Sequence, residues 1–103
     1  MNTGYQITFF TLQSRRHNGT NIAEWLEDIA QRSGINGVTV TNASKGLGHE
    51  GTWHSATFFE LSDQPLEIMM IADEESCNKL FSLLEEQKPS LFYTKTAIEY
   101  GKI

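Results

Sequence analysis

Apolar and polar positions change period along this chain, and each change marks an element. Tyr5-Gln6-Ile7-Thr8-Phe9-Phe10-Thr11-Leu12 alternates in part and is rich in aromatic and β-branched residues, which predicts a strand over 5–12. Polar residues 13–19 then read as a loop. Ile22, Trp25, Leu26, Ile29 and Ala30 recur at helical spacing, with Thr20 or Asn21 as cap and Gly34 as stop, so an amphipathic helix faces a core. Val38-Thr39-Val40-Thr41 predicts a second strand.

The second half repeats the alternation of periods. Thr57-Phe58-Phe59-Glu60-Leu61 is strand-like, Ser62-Asp63-Gln64-Pro65 has turn chemistry, and the mostly apolar run 66–72 fits a central strand. Asp73 can cap a helix with Glu74 and Glu75 in its first turn, where negative charge favours the helix dipole. Cys77, Leu80, Phe81 and Leu84 form its apolar stripe, and Lys88-Pro89 ends it. Leu91-Phe92-Tyr93-Thr94 predicts a last strand, followed by a short tail over 97–103. The resulting order is the split βαβ, or ferredoxin-like, α+β arrangement (βαββαβ): an antiparallel sheet with two helices on one face. Phe9 or Phe10 and Met69 or Met70 must then point both ways from their strands, so the second sheet face is expected to be buried against other subunits of a closed homo-oligomer.

Composition narrows the function. The 103 residues, 39% hydrophobic and 11% aromatic, suit a single domain over 1–103. Thirteen acidic and eight dispersed basic residues give a net charge of −5, which argues against nucleic acid as the main partner. One cysteine allows no internal disulfide and no Cys-rich metal site, in keeping with a reducing compartment. The N-terminus lacks the basic start and apolar core of a signal peptide, and no apolar run approaches membrane-spanning length; a cytoplasmic protein without membrane insertion is expected.

Candidate chemistry concentrates in Lys45-Gly46-Leu47-Gly48-His49-Glu50-Gly51. Glycine keeps no side chain between a ligand and the backbone N–H groups, so such a loop can fold around an anion. Arg15 and Arg16, beside His17, form the densest basic cluster and are candidate anion contacts; a solvated loop is the alternative. Trp53 and His54 close the loop, where an aromatic can stack on a base, dock on a partner or pin the loop to its own assembly. His17, His49 and His54 with Glu50 match no compact metal signature, and no nucleophile has a flagged base partner, so neither a resident metal nor a catalytic residue is expected.

Gly37-Val38-Thr39-Val40-Thr41 followed by Lys45-Gly46-Leu47-Gly48-His49 resembles the second strand and T-loop entrance of the PII nitrogen-regulatory proteins. Together with 5–10, Arg15-Arg16-His17 and 54–61, this makes nearly the whole chain similar to a small uncharacterised branch of the PII-like superfamily, domain of unknown function 190. The resemblance implies a homotrimer that binds an adenine nucleotide as effector in each inter-subunit cleft, requires no cofactor, and signals through the T-loop to a partner such as a membrane transporter. It implies a sensor and not an enzyme. By position, Gly37, Val38 and Thr39 would lie near the adenine, Gly46, Gly48 and His49 at the phosphates with Lys88, and Glu50, Trp53 and His54 on the partner-binding loop.

Two departures bear on the ligand. His49 stands where PII proteins have arginine, so a titratable group replaces a permanent charge. The segment Glu85-Glu86-Gln87-Lys88-Pro89-Ser90 replaces a glycine-rich phosphate loop and contains no glycine, which makes a nest of N–H groups harder to build. AMP or ADP is therefore expected over ATP. The T-loop tyrosine that some PII proteins modify has no counterpart, so uridylylation is not expected. The superfamily also includes ion-tolerance relatives of the CutA kind, and a metal-responsive protein using the loop histidines is the alternative.

Overall fold

The computed structural model describes residues 1–43, 45–47, 53–55 and 63–103, with 45–47 and 53–55 described by their backbone pairing. Four strands form an antiparallel sheet: β1 (Asn2–Leu12), β4 (Val38–Asn42), β7 (Pro65–Ala72) and β8 (Phe92–Tyr100), in the spatial order β4-β7-β1-β8. Two short ribbons accompany it, β2 (Arg16–His17) with β3 (Thr20–Asn21) and β5 (Lys45–Leu47) with β6 (Trp53–Ser55). Helices α1 (Ile22–Arg32) and α2 (Glu74–Gln87) pack on one face of the sheet. The ferredoxin-like arrangement expected from the sequence is the observed one.

Register explains which apolar residues reach the core. Ile7 pairs with Met70 and Phe9 with Ile68, so these four point to the same face and are fully or almost fully buried beneath Ile22, Leu26, Ile29, Cys77 and Leu80. Their sequence neighbours Phe10, Met69 and Ile71 turn to the opposite face, as period-2 alternation requires. Beside the core, the Phe81 and Tyr93 ring centroids lie 4.9 Å apart and the Lys95 ammonium sits 4.4 Å from the centre of the Tyr5 ring, a cation–π contact.

Local chemistry sets both ends of α1. The Asn21 side chain accepts from the N–H groups of Ala23 and Glu24, satisfying two donors that the first turn leaves without partners. At the other end Ile35 N–H donates to Ala30 C=O (2.9 Å) and Gly34 N–H to Gln31 C=O (3.1 Å), with Gly34 at φ +90° and Ile35 buried. This is the double closure of a Schellman motif, which requires the left-handed residue that glycine supplies.

Three stretches differ from the sequence reading. Residues 13–19 are not a plain loop: Asn18 (φ 50°) and Gly19 (φ 83°) turn the β2–β3 ribbon, as an Asn-Gly pair favours. The last strand runs to Tyr100 and takes in most of the expected tail, because Phe92, Thr94, Thr96, Ile98 and Tyr100 continue the strand period opposite the long β1. The glycine-rich stretch contributes Lys45–Leu47 to a ribbon with Trp53–Ser55. The strand expected over 57–61 lies outside the described residues.

Candidate functional site

One end of the sheet collects the residues of interest. β1 leaves the sheet at Leu12 opposite Pro65, β4 ends at Asn42 opposite Leu66, and β8 begins at Phe92 opposite Phe10. The connections 13–21, 43–64 and 88–91 therefore all start or finish at this end. Hydrogen bonds tie them to one another. Gln13 N–H donates to Gln64 C=O at 2.8 Å, Ala43 N–H to Pro65 C=O at 2.9 Å, and the Ser14 hydroxyl to the Asp63 carboxylate.

Arg15 and the turn after α2, far apart in sequence, meet here. The Arg15 guanidinium donates to the carbonyl of Pro89, the residue after Lys88. Lys88 caps α2 in a left-handed conformation (φ 48°, ψ 59°), its N–H donating to Leu84 C=O at 2.8 Å, and Ser90 is left-handed as well (φ 57°). Left-handed backbone costs a non-glycine residue about 1–2 kcal/mol. The glycine-free segment thus holds two non-glycine residues in left-handed backbone. Arg16 turns into its own ribbon, donating to Gly19 C=O at 3.2 Å.

Gly37, Val38 and Thr39 lie on the approach to and the start of the edge strand β4, with Val38 opposite Met70 and Thr39 opposite Met69. On the helix side, Val38 and Ile35 line an open groove of about 420 Å³ with Glu24, Glu27, Asp28 and Gln31. Three carboxylates make it unsuited to a phosphate, and Arg15, Arg16 and Lys88 lie away from it on connections at the end of the sheet described above. Gly46 pairs across the β5–β6 ribbon with His54, and Leu47 with Trp53. Gly48, His49 and Glu50 lie outside the described residues.

His17 was missed as a packing residue. Its ring packs at a tilt against Trp25 with centroids 4.2 Å apart, and its Nε2 is buried without a hydrogen-bond partner among the described residues. Trp25 is half-buried against the core. The signal was available: the Asn18-Gly19 turn folds β2 back towards the start of α1. Among the described residues no three His, Cys, Asp or Glu side chains gather as metal ligands.

The four-stranded sheet with both helices on one face is a fold found in PII-like proteins of known structure. Residues 4–100 match the model of the DUF190 family, described as an uncharacterised ACR, and the chain belongs to that family. It is similar in structure to CPII, a nitrogen regulatory PII-like protein from Thiomonas intermedia K12 bound to ADP, AMP and bicarbonate. The TM-score is 0.69 at 19% identity, covering 97% of this chain and 90% of that one. A protein from Thermus thermophilus described as PII-like and signalling gives a TM-score of 0.61 at 19% identity, over 95% of this chain and 90% of its own. The ligand-free form of CPII gives 0.57 at 15% identity, over 93% and 91%. No curated protein matches the sequence. No helix among the described residues is long and apolar enough to cross a membrane.

Proposed function

We propose that this protein is a cytoplasmic, non-enzymatic regulator that binds AMP or ADP between subunits of a homotrimer and reports the bound state through residues of about 44–56 to a partner, such as a membrane transporter. One observation carries the reading. The Arg15 guanidinium reaches the Pro89 carbonyl next to Lys88, at the end of the sheet where the 43–64 connection starts and finishes, in a fold shared with a protein described as bound to ADP and AMP. The phosphates would sit at this end by Lys88, with Gly46, Gly48 and His49 above them. The adenine would lie along Gly37, Val38 and Thr39 on the β4 edge. Glu50, Trp53 and His54 would face the partner. Ligand contacts that order a loop are a sufficient switch, because a partner then distinguishes two loop populations.

His49 in place of arginine weakens the hold on a longer phosphate chain at neutral pH, which favours AMP or ADP over ATP. Calorimetry with AMP, ADP and ATP tests this: AMP or ADP is expected to bind more tightly than ATP, and Gly48→Trp to abolish binding by filling the cradle. Absence of binding to the wild type overturns the reading. Unchanged binding by Gly48→Trp removes the loop from the site.

A further inference from the structure

The Arg15 contact joins parts of the chain 74 positions apart, and its target is unusual. Pro89 stands between two left-handed non-glycine residues, Lys88 and Ser90. Its ring fixes φ near about −65° and removes its N–H, and its carbonyl accepts from the Arg15 guanidinium. Such conformations persist where the surroundings over-determine them. Here the surroundings include a charged donor on a rooted backbone: Arg15 N–H donates to Leu12 C=O at 3.1 Å, and Arg15 C=O accepts from Ile22 N–H at 3.0 Å. The Arg15 backbone is thereby anchored to both the end of β1 and the start of α1.

We propose that Arg15 is a positioning residue that holds the 88–90 turn in its left-handed form and so presents Lys88 to the phosphate of a bound nucleotide. The inference rests on the function proposed above and adds how the phosphate end is shaped without glycine. Arginine suits the task because its charge is permanent and its planar fork offers five N–H donors. Arg16 does different work, closing the β2–β3 turn on Gly19.

The test compares ADP with adenosine, which lacks phosphate, by calorimetry on wild type, Arg15→Ala, Lys88→Ala and the double variant, with amide exchange at Lys88, Ser90 and Leu91 read in parallel. Arg15→Ala is expected to weaken ADP about tenfold, the scale of one charge-assisted hydrogen bond, and to leave adenosine unchanged. The double variant should bind ADP no more weakly than Lys88→Ala alone, because both losses act through one group. Adding Ser90→Gly to Arg15→Ala should recover part of the loss, since glycine takes the left-handed form without a clamp. Undiminished ADP affinity, additive losses, or equal losses for ADP and adenosine would overturn the proposal. If wild type binds neither ligand, the functional reading fails and the phosphate role with it. Faster exchange in Arg15→Ala would then retain the clamp as a structural device, and unchanged exchange would remove that too.

Discussion

At Gly4 the first strand passes so close to its neighbour that a Cβ would collide with the carbonyl oxygen of Ala72 and come within 3.0 Å of the Tyr100 ring. Gly4→Ala is accordingly expected to lower stability by about 1–3 kcal/mol, the range for overpacking a filled site, measurable by urea denaturation. Asn21→Ala, which removes the α1 cap, should cost about 1 kcal/mol in the same assay. The Asp73 carboxylate accepts from Ser76 N–H at 2.8 Å, and its bonds to the Ser76 backbone and hydroxyl, with the nearby Lys79 charge, hold its pKa below the ordinary value of 3.8. A depressed folded pKa means that the stabilisation is present above the unfolded value and disappears as pH falls through the folded one. Asp73→Asn keeps a capping oxygen, and should therefore flatten the acid limb of the stability curve below about pH 4. Burial pushes the Cys77 thiol up, so it should remain unreactive towards thiol reagents at neutral pH until the chain unfolds.

At the scale of elements, the sequence makes legible what local chemistry decides. The α1 stripe, the Asp73 cap and the central strand follow from spacing and side-chain type, because each is stabilised by neighbours within one or two turns. The length of β8 was harder to read. Lys95, Ala97 and Glu99 interrupt its apolar pattern, and the strand persists because the long β1 offers it nine paired positions. The left-handed pair Lys88 and Ser90 was illegible for the same reason: its support arrives from Arg15, a contact that no local rule contains. The Asn18-Gly19 turn was legible and overlooked. Of the candidate site, residue types pointed to Arg15, Arg16 and Lys88 separately, and only tertiary structure brings Arg15 to the Lys88 turn.

The whole molecule leaves one sheet face without a layer among the described residues. Phe10 and Phe92 pack there with ring centroids 5.7 Å apart, Ile71 is 39% exposed and Phe92 67%, and the same face carries Thr8, Thr39, Thr41, Thr94 and Thr96. Apolar ends with hydrogen-bonding threonines between them suit contact with copies of the same chain. Light scattering should therefore return three times the 11.6 kDa chain mass, and Phe92→Asp should reduce it to that of a single chain while far-UV circular dichroism stays unchanged. A trimer would also place a neighbouring subunit beside the β4 edge and complete the proposed nucleotide cleft. The most direct test of that central claim is a crystal structure of the protein with ADP. The account predicts adenine along Gly37, Val38 and Thr39 between two chains, with the phosphates against Lys88 and residues 46–49. ADP seated elsewhere, or held wholly within one chain, would contradict it.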